Sequence, residues 1–141
     1  MAALQDLLEF QLKSAQSLSE LLVQEKLAIT QRNSSQIEAV AKQKITLINQ
    51  LNEADQRIAN HPHVSSLQED EALKSLVEQI KSVIIDCQQA NQINGEALSR
   101  AQVSFHKLKN LMQQSQGKIG MTYTAEGQTR SISTLGTDIK A

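Results

Sequence analysis

The sequence predicts an all-α protein, an elongated antiparallel three-helix bundle or coiled coil with a long third helix and an irregular C-terminal tail. Three observations carry this expectation. Between Ser66 and Gln116, apolar residues from Leu73, Val77 and Ile80 through Phe105, Leu108 and Met112 recur at steps of three and four, the spacing of one helix face. Aromatic residues are limited to Phe10, Phe105 and Tyr123, so Leu, Ile, Val and Ala must build the core, as suits helix-on-helix packing. Pro62 is the sole proline, and four of the five glycines lie after residue 116.

The first helix is expected from about residue 3 to 32. Its stripe is Leu4, Leu7, Leu8, Leu12, Ala15, Leu18, Leu22 and Ile29, with one charge, Glu25, on the apolar face. Asn33, Ser34 and Ser35 make a turn, and Ser35 with Glu38 has capping-box spacing. The second helix should occupy about 36–59, with Ile37, Val40, Ala41, Leu47, Ile48, Leu51 and Ile58 inward and Lys44 as its intruding charge. Glu25 and Lys44 are equally far from the turn, so in an antiparallel hairpin they pair, and the pair fixes register. Pro62 ends this helix.

The third helix is expected over 66–116, beginning with Ser66 and Glu69 at capping-box spacing. Asp70, Lys74 and Glu78 alternate in sign at i,i+4 on a solvated face. Such a helix is about 75 Å long at ~1.5 Å per residue. Asn91, Asn94 and Gly95 weaken the stripe, and a looser or bent segment is expected there. A first helix of this length is matched near Ser99, and the remainder projects past the hairpin. The apolar face of that projection, Phe105, Leu108, Leu111 and Met112, then needs cover from a partner, a second copy or the tail, the plainer alternative being that these residues simply close the bundle core. The domain reading is therefore a helical bundle over 1–116 and a flexible binding tail over 117–141. The tail is rich in Gly, Ser and Thr yet retains Ile119, Met121, Tyr123, Ile132, Leu135 and Ile139, a mixture that fits ordering on binding.

Composition narrows the function classes. With 15 acidic and 14 basic residues the formal net charge is −1, and no basic cluster suits nucleic acid or an anionic membrane. No segment approaches the ~20 apolar residues of a membrane span. The opening MAALQDLLEFQLKSAQ has acids where a signal peptide needs a basic start, so a cytoplasmic protein is expected. The lone Cys87 lies in the apolar stripe and reads as a small buried hydrophobe. His61 and His63 lack a third ligand at local spacing, so no metal site is expected. No phosphate loop, catalytic carboxylate pair or nucleophile elbow is present, so neither a catalytic residue nor a cofactor is assigned.

Two resemblances remain. His106-Lys107-Leu108-Lys109-Asn110 resembles the His-x-Leu-Lys-Gly run of histidine phosphotransfer domains, with Asn110 in the glycine position. A solvent-facing helix histidine is the plainer reading. The second resemblance is broader. Leu18-x-x-Leu21-Leu22-x-x-Glu25-x-x-Ala28 is followed by Lys44-x-x-Leu47-Ile48-x-x-Leu51. Far downstream comes Tyr123-x-x-x-Gly127-Gln128-Thr129, and the chain closes on Leu135-Gly136 and Lys140-Ala141. This order resembles the FlgN family of flagellar type III export chaperones.

The resemblance implies a non-enzymatic cytoplasmic protein that binds the C-terminal helical segments of hook-associated proteins and delivers them to the flagellar export gate. An amphipathic cargo helix would then lie beside Phe105, Leu108, Leu111 and Met112. The tail would fold over it through Ile119, Tyr123, Ile132 and Leu135, with Tyr123 as the aromatic anchor. A generic coiled-coil adaptor or scaffold is the alternative, with a phosphotransfer module behind it.

Overall fold

The computed structural model describes residues 3–101 and 106–116; the side chains of residues 106–109 and 116 fall outside that description. Five helices follow in order: α1 (Leu4–Thr30), α2 (Ser34–Ala59), α3 (Ser66–Glu69), α4 (Glu71–Arg100) and α5 (His106–Gln116). No strand occurs among the described residues, and the fold is an all-α helical bundle.

One repeat explains why the three long helices assemble. On α1 the buried positions include Leu4, Leu8, Gln11, Ala15, Leu18, Leu22, Glu25 and Ile29. On α2 they include Ile37, Ala41, Lys44, Ile48, Leu51, Asp55 and Ile58, and on α4 Leu73, Val77, Ile80, Ile84, Cys87, Asn91, Asn94 and Leu98. Steps of four and three alternate throughout, which keeps one seam facing the neighbouring helices as in a coiled coil. Two contacts fix the register of α4 on α1. Cys87 Sγ lies 3.7 Å from the Ala15 carbonyl oxygen, and Asn94 Nδ2 donates to the Leu22 carbonyl at 2.9 Å. Both pairs are separated by 72 residues, so α1 and α4 run parallel over that heptad, with α2 antiparallel to both.

The structure corrects the expected 66–116 helix in three places. It begins later, because Asp70 caps it: its carboxylate accepts from the amides of Ala72 at 2.9 Å and Leu73 at 3.3 Å, while Ser66–Glu69 forms only a separate turn of helix. Asp70 is therefore not a partner of Lys74, which lies 3.9 Å from Glu71 instead. It does not loosen at residues 91–95, where α4 is continuous and Asn91 and Asn94 are buried. It also ends at Arg100. The 72-residue offset sets the last residue of α1 level with residue 102, so a longer α4 would have had no neighbour for its apolar face.

The expected projection is consequently absent. α5 packs back against α2 and α4, filling the gap between them at the end of the bundle that holds the α1–α2 turn. Of the face expected to need cover, Met112 is turned onto the bundle, which buries it.

The turn itself also departs from expectation. Arg32 adopts a left-handed backbone with φ 53°, its amide donates to Ile29 O, and the Asn33 amide donates to Ala28 O. This is the Schellman arrangement, with arginine in a place usually held by glycine. Asn33 then serves as N-cap of α2, its side-chain oxygen accepting from the Gln36 amide at 3.2 Å. Ser35 was the expected cap; the left-handed Arg32 brings Asn33 into that position two residues earlier.

Candidate functional site

The bundle interior near the turn holds a polar cluster assembled from four helices. Lys44 of α2 is fully buried, and its ammonium has three partners: Glu25 Oε2 at 2.8 Å, Asn91 Oδ1 at 2.6 Å and Met112 Sδ at 3.4 Å. An ammonium has three protons, so the set is complete. Glu25, also fully buried, accepts from Asn94 Nδ2 at 3.0 Å through its other oxygen. Burial holds the Lys44 pKa below its ordinary range, opposed by the charge and hydrogen bond of Glu25. Each of these contacts joins a donor to an acceptor, and the two formal charges cancel.

A second apolar cluster surrounds this layer: Ala28 and Ile29 of α1, Ile37 of α2, Leu98 of α4 and Met112 of α5. Met112 thus belongs to the core, although the sequence analysis placed it on an exposed partner face. Its face is apolar in either case; the structure turns it inward, onto Lys44. Leu111 is half-buried. The Leu108 side chain and the whole of Phe105, Ile119, Tyr123, Ile132 and Leu135 lie outside the described residues. His106 is the first residue of α5.

Asn91 and Asn94 were missed as members of a site. Their signal was present, since both occupy seam positions of the heptad, where a polar residue inside a bundle requires a polar partner. The His61 and His63 rings stand 5.6 Å apart, but His61 Nδ1 accepts from the His63 amide at 3.1 Å. Among the described residues no three His, Cys, Asp or Glu side chains gather in a metal-binding group. Burial, with Asp86 adding to it, pushes the Cys87 thiol up to about 12. No described helix is long and apolar enough to cross a membrane.

The family model described as FlgN protein matches residues 1–131, which takes in all five helices and the tail past Thr129. The chain belongs to the FlgN family. No curated protein and no solved structure matches it. FlgN proteins are flagellar export chaperones and the family is not an enzymatic one, which sets this chain among proteins that bind flagellar components. Glu25, Lys44, Asn91, Asn94 and Met112 all fall within the matched span, as does Tyr123.

Proposed function

We propose that this FlgN chain acts in the cytoplasm on hook-associated proteins of the flagellum. It binds their C-terminal amphipathic helical segments, keeps them from premature association and hands them to the export apparatus. The observation that carries this reading is the extent of the family match, which runs beyond the bundle and through most of the tail. A match that stopped at the last helix would have fitted any helical scaffold.

The mechanism follows from the chemistry of such cargo. An amphipathic helix separated from its assembly exposes an apolar stripe, and laying that stripe in a groove beside another apolar helix hides it without ATP. α5 and the tail supply this surface. The contact residues are Phe105, Leu108 and Leu111, joined by Met112 once α5 lifts away from Lys44, followed by Ile119, Tyr123, Ile132 and Leu135, with Tyr123 as the strongest anchor. The bundle acts as the rigid support, and the Glu25–Lys44 pair fixes its register.

Co-expression with a hook-associated protein followed by gel filtration tests the reading. The two proteins should co-elute as a soluble complex, and Phe105→Asp should separate them. Independent elution of the wild-type proteins would refute it, and the same column reports whether the chaperone is a monomer or a self-associated species.

A further inference from the structure

One partner of Lys44 is chemically weaker than the others. Glu25 offers a carboxylate and Asn91 an amide oxygen, whereas Met112 offers a thioether sulfur at 3.4 Å. Sulfur of this kind is a weak acceptor. The strong acceptors come from α1 and α4, and the weak one comes from α5.

α5 is also weakly held. It has 11 residues, short of the ~12–15 at which even a good isolated helix becomes marginal. Among its described side chains only Met112 and Ser115 are buried, and the Ser115 hydroxyl bonds within α5, to the Met112 carbonyl at 2.8 Å. A helix this short, whose one described side-chain hydrogen bond to the rest of the bundle goes through a thioether, is the kind of element that opens first. The seat it covers is floored by Ala28, Ile29, Ile37 and Leu98, with the Lys44 ammonium against Met112.

We propose that α5 is the exchangeable occupant of a helix slot between α2 and α4, and that Lys44 selects what replaces it. The replacement is an amphipathic helix of a partner protein whose apolar stripe carries one uncharged oxygen acceptor, a carboxamide or hydroxyl, where Met112 now sits. A wholly apolar helix leaves one buried ammonium proton without an acceptor, which costs binding energy. A carboxylate is disfavoured for the opposite reason: Glu25 already balances Lys44, so a second anion would be buried without a counter-charge. This inference rests on the cargo reading above and adds which segment the cargo displaces and which cargo feature is read.

The test uses the full-length chain and a fluorescent peptide spanning the C-terminal helical segment of a hook-associated protein from the same organism. Met112→Gln gives α5 its own carboxamide for Lys44, so α5 holds the slot more firmly. Peptide affinity should fall about tenfold, with no loss in thermal midpoint. Met112→Leu removes the acceptor at similar size, loosens α5 and should tighten peptide binding. Equal affinity for wild type and both variants overturns the slot inference while the cargo reading stands. A lowered thermal midpoint for Met112→Gln also overturns it, because Lys44 would then not accept the carboxamide. A wild-type chain that fails to bind the peptide overturns both.

Discussion

Lys44 donates all three of its protons inside the bundle, so its removal leaves Glu25 as an unpaired buried anion. Lys44→Met should therefore cost about 3–5 kcal/mol of stability in urea unfolding. Adding Glu25→Leu should recover part of that loss, since the stranded charge goes with it. The recovery is incomplete, because Asn91 and Asn94 still lose partners. Strictly additive effects of the two substitutions would show that the pair is not coupled.

Cys87 gives a second residue-level expectation. Its thiol is raised to about 12 in the folded chain from an ordinary 9.0, so above pH 9 the unfolded chain releases the proton first. The folded state then binds more protons, and stability falls as pH rises from about 9 toward 12. The thermal midpoint of wild type should drop more steeply between about pH 8.5 and about pH 10 than that of Cys87→Ala. Parallel slopes would contradict the assignment.

At this scale charge was readable in the sequence directly, and neutral polarity only as an ambiguous signal. Glu25 and Lys44 interrupt otherwise apolar stripes at matched distances from a turn, which places them opposite one another. Asn91 and Asn94 interrupt a stripe equally, but an uncharged amide also fits a frayed segment. Only the partner atoms across the bundle decide between these readings.

Among the helices, ends were harder to read than faces. The stripes follow from a periodicity of three and four that the core obeys on α1, α2 and α4. The boundaries depend on which of several adjacent polar side chains captures the first free amides. Asn33 prevails over Ser35 and Asp70 over Ser66, in each case a side-chain carbonyl or carboxylate oxygen over a hydroxyl. Asn33→Ala and Asp70→Ala should each cost about 1 kcal/mol, and Ser66→Ala a small fraction of that. Chemical denaturation of the three variants measures the ranking, and an equal loss from Ser66→Ala would restore it as the true start. Arg32→Gly should stabilise the chain by up to about 1 kcal/mol, as it relieves a side chain held at positive φ. A loss of stability on that change would mean that the arginine side chain contributes more than its backbone costs.

For the molecule as a whole, the end of α4 was set by something no local pattern records. The apolar residues run on beyond Arg100, and periodicity alone extends the helix through them. The parallel register of α1 and α4 limits how far α4 has a neighbour, and α5 returns to fill the remaining corner. A stripe of local spacing cannot reveal a length limit imposed by a helix about 70 residues earlier. The family, by contrast, was recognisable from short motifs spread from Leu18 to the tail, because each is read locally from residue identity and none depends on where a helix ends.

The proposed division of labour is a bundle that supports and a C-terminal region that binds. Calorimetric titration of a hook-associated C-terminal segment into the intact chain, and into a chain ending at Gln116, measures it directly. The account predicts tight binding to the intact chain and a loss of at least about tenfold on truncation, at an unchanged thermal midpoint. Equal affinity for both chains would contradict it and leave the tail no part in holding cargo.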